Sequence, residues 1–222
     1  MTSIQDGPLH GQSALVTGAA GGSGLLAARA LAQTGADLFL SGLNFLNLDT
    51  AAKSIKADFP VDLEIHAGNP AVQVDAEAIA MACSNAHIFI SCTGNLPPGT
   101  LDDVEDSDWR KSWEAAVFAP LNMTREMLGH MSDEGRGLVV LVIDSPATPK
   151  GADICATTAG GALKAFVKAQ GKSVGKGIKV LGLTTGRKLD ASAFSMAIAS
   201  LACDPDRFAT GALLTVKEVN AK

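Results

Sequence analysis

The sequence predicts a single α/β domain built on a doubly wound parallel sheet, and three observations carry that prediction. Short apolar segments of strand type alternate with helix-type segments along the whole chain. The first of these strands runs directly into a glycine-rich turn and then a helix pattern. The length, 222 residues with 47% apolar, is enough to close one substantial core and small for two α/β domains.

Taken in order, residues 13–17 read as a strand, 18–24 as a glycine turn and 25–35 as a helix ending on Gly35. A strand at 37–41, a helix at 50–58, a strand at 63–66 and a helix at 72–84 follow. Residues 86–90 form a buried-type strand, 107–131 a long helix, 137–143 a strand and 154–173 a helix. The chain closes with a strand at 178–183, a helix at 191–203 and a strand at 211–216. Runs such as Val139-Val140-Leu141-Val142-Ile143 are apolar without alternation, as expected of parallel strands covered on both faces. No internal repeat or low-complexity linker divides the chain.

Composition excludes several function classes. Eighteen Lys and Arg stand against 23 Asp and Glu, a formal net charge of -5, with no basic run to follow a phosphate backbone, so nucleic acid is not an expected partner. The longest purely apolar stretch, 138–143, falls far short of the roughly 18 residues of a membrane span, and the first six residues lack a signal-peptide pattern. A cytoplasmic protein without membrane association is the expectation. Cys83, Cys92, Cys155 and Cys203 form no Cys-x-x-Cys pair, and His10, His66, His87 and His130 show no ligand spacing, so neither disulfide nor metal site is expected.

The turn Thr17-Gly18-x-x-x-Gly22-x-Gly24 admits two readings of equal weight. Glycines there let a pyrophosphate approach a helix N-terminus, whose dipole and free N–H groups favour anions. They also let a helix pack tightly on a strand. The motif resembles the cofactor fingerprint of the short-chain dehydrogenase/reductase family, and further landmarks fall in register with it. Ser91-Cys92-Thr93-Gly94 resembles the family's Asn-Asn-Ala-Gly. Asp108-Trp109 with Thr124-Arg125 matches its long helix, and residues 139–145 its serine-bearing strand. Thr185-Gly186 matches its Pro-Gly, and residues 209–215 its final strand. The resemblance covers nearly the whole chain and implies a Rossmann-type fold that uses NAD or NADP.

Against that pattern the departures concentrate in the site. The chain contains no tyrosine. In the family a tyrosine handles the proton at the substrate oxygen, and a lysine four residues later lowers its pKa and holds the ribose. Here Ala156 takes the tyrosine position, Gly160 the lysine position and Ala116 the position of a proton-relay asparagine. Ser145 survives with Asp144 before it. A one-residue length difference leaves open which of the two stands at the serine position, and Ser145 also reads as a turn residue ahead of Pro146. Gly42 and Leu43 occupy the end of the second strand, where an acidic residue usually grips the ribose or a basic one a 2′-phosphate. Gly68 or Asn69 replaces the aspartate that faces the adenine. Residues 187–190 alone stand where the family has a longer helical lid.

The resemblance therefore implies a remnant dinucleotide turn at Gly18, Gly22 and Gly24 with no cofactor held tightly. It implies a non-catalytic subunit paired with an active homologue that carries the NAD or NADP, a heterotetramer being a plausible assembly. Such degenerate subunits occur in heteromeric members of the family, including the hydroxybenzylsuccinyl-CoA dehydrogenase of anaerobic toluene breakdown. An active NAD(P)-dependent enzyme with relocated residues is the alternative, using Lys164 with Asp144, Ser145 or Cys155, although Lys164 reads more simply as a surface lysine. A ligand-sensing protein using the remnant cleft is a third. Helices 107–131 and 154–173 correspond to the family's dimer-forming pair. The run of Ala and Gly in the second invites close helix approach, so charge at Ala162 or Phe166 is expected to break an oligomer. Burial of that face on the chain's own sheet is the competing reading.

Overall fold

A computed structural model describes residues 7–92, 96–144, 153–186 and 188–221. Seven parallel strands lie in the order β3-β2-β1-β4-β5-β6-β7. They are β1 (Ser13–Thr17), β2 (Asp37–Gly42), β3 (Leu63–Ala67), β4 (Ile88–Ser91), β5 (Gly137–Asp144), β6 (Ile178–Thr185) and β7 (Leu213–Thr215). The helices are α1 (Gly22–Gln33), α2 (Phe45–Asp58), α3 (Gln73–Ala82), α4 (Asp106–Trp113), α5 (Ala119–Glu134), α6 (Ile154–Gln170), α7 (Ala191–Cys203) and α8 (Val216–Asn220).

Strand residues alternate between two cores. Val16, Leu40, Ile90, Val140 and Leu183 face α1, α2, α7 and α8, while Leu15, Phe39, Phe89, Val139 and Val180 face α3, α5 and α6. The expected Rossmann-type doubly wound sheet is thus the fold. Its direction of growth reverses between β1 and β4, the place where such sheets open a crevice at the strands' carboxyl ends. Among the described residues, no helix is long and apolar enough to cross a membrane.

Three elements differ from the sequence expectation, each for a local reason. The helix expected at 107–131 is interrupted by a π-helical turn over Glu114–Phe118, in which the Ala119 N–H donates to the Glu114 carbonyl five residues back. Pro120 has no N–H to give the Ala116 carbonyl, so the regular ladder breaks there. The second helix starts at Phe45, five residues early, because the Asn44 side chain accepts from the Asn47 N–H at 3.0 Å and caps it. The last strand stops at Thr215 because that residue caps α8. Its hydroxyl accepts from the Glu218 N–H, and the Glu218 carboxylate accepts from the Thr215 N–H at 2.7 Å.

Candidate functional site: a glycine-turn cleft at the carboxyl edge of the sheet

β1 delivers the chain to Gly18, whose φ of 69° belongs to the left-handed region. A side chain there would overlap the Cys92 carbonyl. Gly24 is tighter still, since a Cβ on it would lie 2.6 Å from the Gly18 carbonyl carbon. Both glycines therefore serve close backbone approach, Gly18 to Cys92 and Gly24 to the turn itself, and Gly18 also lines the cleft before α1. Gly21 and Gly22 differ, because a Cβ on either meets nothing within 4 Å and the space before them is open. The two readings of the turn divide between its glycines.

The open space is a cleft of about 500 Å³, lined by Gly21, Gly22, Ser23, Asp144, Thr185 and Gly186 among others. The N-terminus of α1 faces it without a side-chain cap and with no acidic residue in its first turn. The first helical turn has N–H groups with no partner inside the helix, which suits an anion.

The catalytic side is apolar. Ala116 is buried in the π turn and packs with Val117 and Ala159, against Trp113, Leu121 and Ala162. Gly160 is buried on α6 and Ala156 half-buried. Ser145 lies outside the described residues. The groups proposed for relocated catalysis line different clefts: Asp144 the glycine cleft and Lys164 an adjoining one that shares Thr185, Gly186 and Leu189 with it, while Cys155 is fully buried. The four cysteines are free thiols. Burial pushes the Cys92 thiol up to about 12, partly offset by a hydrogen bond with Ser23, so it carries no thiolate near neutral pH.

A short chain dehydrogenase model matches residues 12–189. The chain belongs to the short-chain dehydrogenase family. Gluconate 5-dehydrogenase of Gluconobacter oxydans is 31% identical over 188 residues, covering 80% of this chain and 72% of the relative. The 2,3-dihydro-2,3-dihydroxybenzoate dehydrogenase of Bacillus subtilis is 28% identical over 140 residues, 60% of this chain, and the match spans about half, 52%, of that relative. A short chain dehydrogenase from Mycobacterium smegmatis superposes with a TM-score of 0.85 at 18% identity, covering 95% of this chain and 93% of that one. An actinorhodin polyketide ketoreductase with NADPH superposes at 0.83 and 19% identity, covering 97% of each chain. At these identities the two structures establish the shared fold.

A family dinucleotide fits this cleft at one end only. The uncapped helix and the open space at Gly21 and Gly22 suit a pyrophosphate. At the adenosine end, Gly42 offers no side chain, the Asn44 side chain is spent on capping α2, and Leu43, Phe45 and Leu46 are exposed. One polar group there escaped the sequence reading. The Asp75 carboxylate in the first turn of α3 stands beside Gly68 and accepts the Asn69 N–H at 2.8 Å. The signal was an aspartate just inside a helix start, six residues past the strand-end position compared with the family. Calorimetry should find NAD and NADP weakly bound or unbound. Each ligand group left unpaired costs about 1–3 kcal/mol, or about 5- to 150-fold in affinity. Tight, specific binding of either dinucleotide would contradict this.

Proposed function

We propose that the chain is a non-catalytic subunit that assembles with, and stabilises, an active NAD(P)-dependent homologue in a cytoplasmic hetero-oligomer. The observation that carries this reading is the absence of tyrosine from a member of a family that moves its substrate proton through one. The burial of Ala116 among alanines and Val117, with Gly160 buried nearby on α6, supports it, since those positions offer no titrating group. The separation of Asp144 from Lys164 into different clefts counts against relocated catalysis.

The face of α6 proposed for assembly divides between positions that the chain itself covers and positions left exposed. On α6, Cys155, Ala159, Gly160, Leu163 and Val167 are buried within the chain. Ala162 packs on the Ala116 cluster and Phe166 on the α3–α5–α6 core, and both are half-buried, covered on one side by the chain itself. Gly161, Ala165 and Ala169 face outward, and Phe118 is 50% exposed on the π turn that α6 packs against. This outer stripe is the part free to receive a partner helix, and with the adjoining helices it suits an interface of roughly 1,600 Å² in total. Recovered from its own host, the chain should co-purify at fixed ratio with a tyrosine-containing homologue. A stable monomer with no such companion would overturn the subunit reading.

A further inference from the structure

A second cleft, of about 650 Å³, opens at the carboxyl ends of β6 and β7. It shares Thr185, Gly186 and Leu189 with the glycine cleft, so the two adjoin one another. Leu189, Ala193, Leu213, Leu214 and Val216 supply apolar walls. The cover of the sheet thins here: Leu213 and Leu214 point to opposite faces of the edge strand and both stay half-exposed, whereas Leu181 and Leu183 on the neighbouring strand are fully buried.

The rim has an unusual charge for so acidic a chain. Lys164, Lys188 and Lys217 line the cleft, and among the described residues Asp190 is the one acidic residue that does so. The Asp190 carboxylate is engaged with the Ala193 N–H at 3.0 Å as the cap of α7. Among the described residues, neither Lys188 nor Lys217 forms a salt bridge. Thr184 and Thr185 add hydroxyl groups to the wall, while the Thr215 hydroxyl is engaged with Glu218 as the cap of α8. Apolar walls with a few converging polar groups are the ordinary make-up of a small-molecule site, and lysine serves as a point charge for anionic heads.

We propose that this cleft binds an amphipathic organic anion, an apolar body of alkyl or aryl type with a carboxylate or phosphate head held by Lys188, Lys217 and Lys164. The site is independent of the subunit reading and would stand if the chain alone proved catalytic.

The test is titration of the full chain with 8-anilinonaphthalene-1-sulfonate, followed by competition. Saturable fluorescence enhancement is expected, reversed by octanoate or octyl phosphate but not by octanol at the same concentration. The more effective of the two anions identifies the head group. The double variant Lys188→Met/Lys217→Met should bind roughly fivefold or more weakly, as expected when two exposed ionic contacts are lost. Ala193→Phe, which fills the cleft from the α7 side, should abolish the signal while the circular dichroism spectrum stays unchanged. Absence of saturable binding, displacement by octanol as readily as by octanoate, or full binding by Ala193→Phe would each overturn the proposal.

Discussion

Gly24→Ala should lower the stability of the protein by about 3 kcal/mol or more, the upper range for overpacking a core. The added methyl would overlap the Gly18 carbonyl oxygen and lie 2.6 Å from its carbon and 3.0 Å from the Ala19 Cα. All three are backbone atoms, so relief requires moving the first turn of α1 away from the Gly18–Ala19 turn that joins it to β1. For a chain of this length the loss amounts to roughly 6–12 °C in melting temperature, read by circular dichroism. Gly21→Ala is the control. Its φ of 176° is extended backbone and its Cβ would enter open space, so stability should stay within about 0.5 kcal/mol of the parent. Equal effects from the two substitutions would show that the turn does not divide between packing and cleft.

If the subunit reading holds, Ala165→Arg should separate the chain from the proposed partner and leave its own fold intact. Ala165 is exposed on the outer stripe of α6, between Gly161 and Ala169 one turn away on either side. At a helix–helix contact, an arginine there would block close approach and place a charge where no partner group is built for it. A hot-spot position near the centre of an interface costs about 2 kcal/mol or more, which is about thirtyfold or more in affinity. Light scattering on a size-exclusion column should show the smaller species, with thermal unfolding of the isolated chain unchanged. Ala162→Arg should behave differently, lowering the stability of the chain itself, because Ala162 packs on Ala116, Val117 and Ala159. An Ala165→Arg protein that stays assembled would place the interface elsewhere.

The sheet and its connections were legible because buried parallel strands announce themselves as unbroken apolar runs between helix-period segments. The glycine turn was legible as a motif but not in its division of labour. Gly18 and Gly24 differ from Gly21 and Gly22 only in what stands next to them, and that depends on Cys92 and on the turn's own carbonyls. The outer face of α6 could not be read from the sequence for a related reason. A helix made almost wholly of alanine and glycine carries little contrast between faces, so Ala162 and Ala165 look alike until the neighbouring π turn fixes which is covered. That turn was itself missed because the apolar period of 107–131 runs through Pro120 without interruption. The capping pairs at Asn44 and Thr215 were present as local signals, and apolar neighbours outweighed them.

Nicotinamide turnover by the chain alone tests most directly whether it is catalytic. Purified free of any homologue and offered NAD, NADP or their reduced forms with a panel of alcohols and ketones, the chain should give no steady change in the absorbance of the reduced nicotinamide ring. The co-purified assembly should turn over under the same conditions. Steady turnover by the partner-free chain, lost on substituting Lys164→Met or Ser145→Ala, would contradict the subunit reading and establish an active site that works without tyrosine.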